Sequence, residues 1–302
     1  MDPLSQVLSL LKPSGVFWHL VEAQGDWKIG FNPENVVVFG QMLSGTATVR
    51  RADGIEFVVD AGDFLLMVDP PSWSMAIGTG REAIEFKTLL SRSGPLAVDE
   101  SKFAGAKFIA GNFSFAVASS ELFRFIVRSV ALIKSGEMEN QRLIALLSAL
   151  GDEVMDERPA RNFIVERLLE VILAEALRYR GLAMEVASPG LIAGLQDPKV
   201  GSALKLVHKD AKKSWTVSQL ARDVGLSRSA FAMRFTDIVG VPPIDYISRW
   251  RMLLAKNALA DSSFSMAEIA EMVGFQSVSA FSTSFKRETG LPPSAYRKAS
   301  VR

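Results

Sequence analysis

The sequence predicts an α+β chain: an N-terminal β-barrel of the jelly-roll kind, middle helices, and a C-terminal all-α domain with two helix-turn-helix units. Three observations predict it. Short alternating runs fill residues 14 to 90. Apolar residues recur at helical spacing from Ser119 to Arg180. Between Ser214 and Lys298 one helical pattern occurs twice. A length of 302 residues agrees with more than one domain. The expected segments are 1–110 for the barrel, 111–198 for a helical linking region and 199–302 for the double helix-turn-helix domain.

The strands come first. Trp27-Lys-Ile-Gly-Phe, Val36-Val-Val-Phe-Gly, Thr46-Ala-Thr-Val-Arg, Glu56-Phe-Val-Val-Asp, Asp63-Phe-Leu-Leu-Met-Val and Ala83-Ile-Glu-Phe-Lys read as short strands. Gly45, Asp53-Gly54, Ala61-Gly62 and Pro70-Pro71 punctuate them. Many short strands closing on themselves make a jelly-roll barrel. Such a barrel holds either a small ligand or its own side chains. Trp18, Phe31, Met42, Met67, Trp73 and Met75 are candidates to line a pocket, and Arg50 to pair with a ligand carboxylate. Against each stands a plainer role, core packing for the aromatics and methionines and strand surface for Arg50.

Helices follow. Ser120-Glu121 begins one, with Leu122, Phe125, Ile126 and Ser129 on one face. Leu143, Leu146, Leu147 and Leu150 mark a second, which Gly151 is expected to end. Phe163-Ile164, Leu168, Val171-Ile172 and Ala176 mark a third, ended by Gly181. Helices so placed either cover the barrel or pair two copies of the chain.

The repeat is the most specific feature. Its first copy is Gln219-Leu-Ala-Arg-Asp-Val-Gly-Leu, then Phe231, Phe235 and Gly240-Val-Pro-Pro. Its second is Glu268-Ile-Ala-Glu-Met-Val-Gly-Phe, then Phe281, Phe285 and Gly290-Leu-Pro-Pro. Leu220, Ala221 and Gly225 match Ile269, Ala270 and Gly274 at an offset of 49; from Phe231 and Phe281 onward the offset is 50. Each copy reads as helix, glycine turn, helix. Ala221 is small enough for a close helix crossing. Gly225 suits the left-handed backbone that ends a helix. Ser227 is a good N-cap for the next one. Phe231, Phe235 and Ile238 are expected to face the core.

Rotating away from that stripe leaves Ser229, Ala232, Met233 and Thr236 outward in the first unit, and Val278, Ser279, Ser282 and Thr283 in the second. We read Ser229, Ala232, Met233, Val278, Ser279, Ser282 and Thr283 as facing base edges: serine and threonine accept either base, and apolar groups meet thymine methyls. Phosphate contacts are expected from Ser227, Arg228, Arg234, Gln276, Ser277 and Lys286, which lie at or near helix starts or flank the base-facing set. No Arg or Asn is placed for a bidentate base contact, so the sequence does not spell an operator.

These residues also carry a resemblance. The stretch from Trp215 to Arg297 resembles the DNA-binding domain of AraC/XylS-type transcription regulators. It rests on Trp215-Thr-Val-Ser-Gln-Leu-Ala, Gly225-Leu-Ser-Arg-Ser-Ala-Phe, Tyr246-Ile-Ser-Arg-Trp-Arg-Met, Ile269-Ala-Glu-Met-Val-Gly-Phe and Phe281-Ser-Thr-Ser-Phe-Lys-Arg-Glu-Thr-Gly-Leu-Pro-Pro. Phe275 stands where Tyr is commoner, and Val278 replaces a usual polar residue. The resemblance implies a joining helix from about Ile244 to Ala260, with Arg251 and Ala255 on its pattern and Arg251 tying it to the bundle. Gly62-Asp63, an apolar strand and a Pro turn resemble the cupin barrel of AraC-type sensor domains. The stretch from Arg180 to Thr216, with Gln196-Asp-Pro and Leu206-Val-His, resembles what precedes the DNA-binding domain in cupin-containing members.

Composition bounds the rest. From Val200 onward there are 15 Lys/Arg and 8 Asp/Glu, a balance of +7, whereas the remainder stands at −6 and the whole chain at +1. A basic C-terminal part suits a polyanion. There is no cysteine, so disulfides and thiolate metal sites are excluded. Cupin enzymes hold a metal with several histidines and a glutamate; this chain has two histidines, His19 and His208, and no His-x-His. Trp73 or Ser74 occupies the approximate place of the usual late barrel histidine. No metal, no cofactor and no catalytic residue are expected. No nucleophile elbow or phosphate-binding lysine loop occurs. No run is long enough to span a bilayer, and no N-terminal signal is expected, since Met1-Asp-Pro is acidic rather than basic.

The expected function is a cytoplasmic, sequence-specific transcription regulator, found at the nucleoid when bound to DNA. Its partners are double-stranded promoter DNA, a small-molecule effector in the barrel, a second copy of the chain and, for an activator, RNA polymerase. Two alternatives remain open: control by a protein partner, and a cupin enzyme with an accessory DNA-binding module.

Overall fold

The computed structural model describes residues 2–11, 13, 15–32, 37–78, 82–89, 96–97, 105–115, 131–137, 141–156, 158–178, 189–260 and 263–300. The helix expected from Ser120 and the helix stop at Gly181 lie outside the described residues, as does Val36. The chain divides into two compact units. One holds the N-terminal helix and everything from Pro189 onward; the other runs from Pro13 to Phe115 and from Ala131 through Arg178. This grouping cuts the chain differently from the three expected segments. The first residues pack with the C-terminal helices, and the helices after residue 140 pack with the barrel.

The barrel unit contains eleven described strands in two sheets. They are β1 (Gly15–Gln24), β2 (Trp27–Phe31), β3 (Val37–Ser44), β4 (Thr46–Arg51), β5 (Glu56–Asp60), β6 (Phe64–Val68), β7 (Trp73–Ile77), β8 (Ile84–Glu85), β9 (Leu96–Ala97), β10 (Ala106–Ser114) and β11 (Ala131–Ile133). One sheet has the order β11-β6-β3-β10-β1-β9 and the other β5-β4-β7-β2-β8. Crossed, mostly antiparallel connections of this kind are those of a jelly roll. The core cluster draws on both sheets, with Trp27, Ile29 and Phe31 from one and Val21, Met42, Met67 and Phe108 from the other. All the strands named from the sequence are present, except that Phe86 and Lys87 turn into a short helix (Phe86–Leu89) after two strand residues.

Two long helices complete this unit. Within the full order, the N-terminal helix (Pro3–Leu11) is α1 and the short helix Phe86–Leu89 is α2; then come α3 (Gln141–Met155) and α4 (Arg161–Arg178). Gly151 does not end α3. The helix continues to Met155, and the glycine sits where a Cβ would stand 3.3 Å from Leu43. Its buried stripe is Leu143, Leu147, Leu150 and Val154, an i, i+4, i+7, i+11 spacing. The buried face of α4 is Val165, Leu169, Ile172, Leu173 and Ala176. The expected Phe163, Ile164 and Val171 are exposed instead. The helix offers two apolar faces, and the sequence does not say which meets the barrel.

The other unit is all helical. It comprises α1, α5 (Leu191–Gln196), α6 (Pro198–Lys209), α7 (Val217–Asp223), α8 (Arg228–Val239), α9 (Pro243–Ala260), α10 (Met266–Met272), α11 (Val278–Thr289) and α12 (Pro293–Ser300). In α1, Asp2 accepts the Ser5 N–H at 2.9 Å and Pro3 follows it, which is an N-cap with proline at the first helical position. Val7 and Leu11 of α1 are fully buried. Among the described residues, no helix is long and apolar enough to cross a membrane.

Candidate nucleic-acid interface and barrel cavity

Each repeat copy folds as a capped helix pair. Thr216 and Gln219 form a reciprocal capping box at the start of α7, and Ser265 and Glu268 form one at the start of α10. In the second box, the hydrogen bonds to Ser265 hold the Glu268 carboxyl below its usual range. Gly225 and Gly274 end the first helices with left-handed backbone, at φ 68° and 81°. Ser227 accepts the Ala230 N–H at 3.2 Å and Ser277 the Ala280 N–H at 3.1 Å, so both second helices, α8 and α11, start on a serine cap. Gly240 and Gly290 close them, again left-handed.

Inside, the aromatic pairs match. Phe231 and Phe235 have ring centroids 5.6 Å apart, as do Phe281 and Phe285. Tyr246 meets Phe235 edge-on, and Tyr296 meets Phe285 in the same way. Val239, not Ile238, completes the buried stripe of α8; Ile238 is half-buried. The i, i+4, i+8 spacing follows the shallow drift of the apolar face around the helix.

Outside, Ser229, Met233, Val278, Ser279 and Thr283 are exposed, and Ala232 and Ser282 are half-buried. Met233 is 66% exposed, an unusual place for so apolar a side chain. Ser227, Arg228, Gln276, Ser277 and Lys286 are exposed around these residues. Arg234 is also exposed, but its guanidinium is engaged. Its Nε lies 3.2 and 3.1 Å from the two Asp197 carboxylate oxygens, and Nη2 completes a bidentate pair. Asp197 also caps α6, accepting the Lys199 and Val200 N–H groups at 3.0 and 2.8 Å. The Arg234 bonds, more than the backbone ones, hold the Asp197 carboxyl below its usual range.

The helix α9 joins the two copies, and its Arg251 reaches back to the segment before the first. Its Nε donates to the Ala211 carbonyl at 2.7 Å and its Nη2 to the Lys213 carbonyl at 2.9 Å. Gly274, in the turn of the second copy, lies against the backbone of Lys212, where any Cβ would collide. The segment before the first copy is thus held both by the joining helix and by the turn of the second copy. Sequence reasoning placed Arg251 in the bundle but gave no sign of these carbonyl partners.

In the barrel unit, an open cavity of about 520 Å³ lies between the two sheets. Phe31, Trp73 and Met75, singled out from the sequence, line it. The other four sit elsewhere, Met42 among them, buried in the core and absent from the lining. Trp18 lies on the opposite face of β1, with the Arg161 guanidinium 5.2 Å above its ring. Met67 is fully buried within the core and is absent from the cavity lining. Arg50 is exposed on β4, paired with Glu56 at 2.8 Å, and that pair raises its pKa. Phe17 and His19, one residue either side of Trp18, point into the cavity. Burial lowers the His19 pKa below its usual value. Among the described residues, no three His, Asp or Glu gather as they would around a metal ion.

The comparisons agree with this architecture. A family described as a helix-turn-helix domain matches residues 220–299, and one described as a cupin matches residues 2–180. An AraC-like transcription regulator of Streptomyces lividans is 32% identical over 99% of this chain and 98% of its own. Another, from Streptomyces antibioticus, is 33% identical over 99% of each. Among solved structures, the DNA-binding domain of AdpA, a global transcriptional factor crystallised with a target DNA, is 31% identical over 34% of this chain and 93% of its own, with a TM-score of 0.32. With two matched helix-turn-helix units, a cupin-type barrel and relatives alike along the whole length, the chain belongs to the family of AraC-like transcription regulators.

Proposed function

We propose that α8 and α11 enter successive major-groove segments of one promoter, with Ser229, Ala232, Met233, Val278, Ser279, Ser282 and Thr283 against base edges. The observation that carries this reading is the matched pair of serine-capped helices with small or apolar side chains left exposed on one side. A soluble bundle gains nothing from exposing Met233; a thymine methyl gives it a partner. Ser227, Arg228, Gln276, Ser277 and Lys286 then meet phosphates. For Arg234 a phosphate must compete with Asp197. The barrel cavity holds a small-molecule effector that favours one DNA-binding arrangement over another. No catalytic role is assigned to either unit, and a DNA-binding regulator works in the cytoplasm, meeting RNA polymerase at the promoter if it activates.

The protein pairs through α4. Phe163 and Val171, two turns apart, are 66% and 47% exposed on it, on the side away from the buried Val165, Leu169, Ile172 and Leu173. Phe163→Glu with Val171→Glu is expected to convert a dimer to a monomer in sedimentation equilibrium, and a monomeric parent protein would sink the idea. For DNA binding, the test is selection of genomic fragments with the full chain, followed by sequencing. Enriched sites with two elements about one helical turn, or ~34 Å, apart support double reading. Enrichment of single elements would reduce it to one reading helix.

A further inference from the structure

The floor of the barrel cavity explains why there is a cavity at all. Gly40 of β3 pairs with Ala110 of β10, which in turn pairs with His19 of β1, so the two smallest side chains lie side by side on the inner face. Gly40 does not need to be glycine. Its φ is not positive, and a Cβ there would make only ordinary contact, 3.5 Å from the Ile109 carbonyl. Gly111 differs, because a Cβ would collide with the Phe17 carbonyl and the Phe39 ring. The first glycine leaves room; the second is forced by packing.

The walls are aromatic. Phe31 stacks on Trp73 with centroids 3.9 Å apart and planes within 4°, and Phe86 packs on Phe31 at 4.9 Å. The Trp73 indole N–H is buried and makes no hydrogen bond. Asn112 and His19 add polar ends. No Lys or Arg is among the described lining residues. The one carboxylate, Glu85, turns away. It pairs with Gly30, whose missing Cβ would stand 3.3 Å from Glu85 Oε1, and Gly30 faces outward between the inward Ile29 and Phe31. A charged group seated against this apolar wall would give up part of its water and find no described counter-charge.

Resting on the effector reading above, we propose that the cavity takes an uncharged, aromatic-sized apolar molecule with one hydrogen-bonding end, seated on Gly40 and Ala110 against the Phe31–Trp73 wall. Its polar end meets Asn112 or His19. Ligands with a carboxylate or an ammonium group are discriminated against.

The test uses four probes of one shape, 2-naphthylmethanol, 2-naphthoate, 2-naphthylmethylamine and 2-methylnaphthalene, titrated calorimetrically into the full-length protein at pH 7.5. The alcohol is expected to bind at least about tenfold tighter than either ion. Asn112→Leu is expected to weaken the alcohol but not 2-methylnaphthalene. Ala110→Leu, or Gly40→Val should the first not fold, is expected to abolish binding while leaving the melting temperature near that of the parent. Equal or tighter binding of either ion overturns the class of ligand and leaves the effector reading intact. Binding of none of the probes overturns the class as well. The effector reading is decided separately, by whether Ala110→Leu changes regulation of a reporter fused to an enriched promoter; unchanged regulation would sink that reading.

Discussion

Ser229 and Thr283 illustrate how little the proposed recognition surface needs. Both are exposed on the second helix of their unit, on the side away from the buried phenylalanines. Either changed to glutamate places a carboxylate against base acceptors and phosphates, at no cost to the core. Affinity for a selected site is expected to fall about 10- to 100-fold, the size of a lost base contact, with no change in thermal unfolding. Retained specific binding in both variants would sink the assignment of these faces. His208 makes the opposite point, of a polar residue entirely inside. Its Nδ1 lies 3.2 Å from Gln6 Oε1 and its Nε2 lies 2.6 Å from the Tyr246 hydroxyl, with Trp250 stacked 4.0 Å away. The consistent reading is a neutral imidazole that donates from Nδ1 and accepts the tyrosine proton at Nε2. Burial pushes its pKa from 6.5 down to about 3. Below pH 6.5 the unfolded chain therefore binds a proton that the native state refuses. Stability falls as pH drops towards 3, by at most about 1.4 kcal/mol per pH unit from this residue. His208→Gln is expected to flatten that part of the curve in urea unfolding at pH 4 to 6.5; an unchanged slope would mean the native imidazole is protonated there.

At the scale of elements, the caps and turn glycines of the repeat were legible, whereas Gly151 within α3 and the strand faces were not. Ser227, Ser277, Gly225 and Gly274 could be read because a cap or a left-handed turn restricts residue type by itself. The cavity lining could not be read so well. In Phe17-Trp18-His19 both faces of β1 carry rings, so alternation gives no parity, and the sequence reading chose Trp18 where the inward residues are its neighbours. The same ambiguity misplaced the buried face of α4, where Phe163 and Val171 look as suited to a core as Leu169. Asp2-Pro3, by contrast, was a readable helix start whose meaning was missed, since the pair was judged only by its charge. The two turn glycines of the second copy allow a matched comparison. Gly274 and Gly290 share left-handed backbone, at φ 81° and 77°. At Gly290 a Cβ would meet nothing within 4 Å, whereas at Gly274 it collides with Lys212. Gly290→Ala is expected to cost only the backbone strain, about 1–2 kcal/mol. Gly274→Ala adds the collision and is expected to cost clearly more. Chemical denaturation of the two variants side by side measures the difference, and equal losses would mean that the Lys212 segment yields freely.

For the DNA-binding unit as a whole, the question is what would make the two proposed reading helices act as one. The joining helix α9 has 18 residues and so spans about 27 Å. Its length alone does not fix the second copy, because a helix can swing about either end. Arg251 supplies the missing restraint: half-buried, it holds the Ala211 and Lys213 carbonyls, while Gly274 rests on Lys212 between them. Binding the second element is then nearly free of orientational cost once the first is bound. Arg251→Ala releases the 211–213 segment and is expected to weaken binding to a two-element site about tenfold. Binding to a single element should hardly change, because the faces of α8 and α11 are untouched. Arg251→Lys is expected to resemble the alanine variant, since one ammonium cannot span two carbonyls as the planar guanidinium does. A contact with DNA predicts otherwise. In that case lysine would largely rescue binding, and the salt dependence of affinity would drop by close to one ion in the alanine variant. Equal weakening on one-element and two-element sites would show that Arg251 acts through the folding of the unit and not through its alignment.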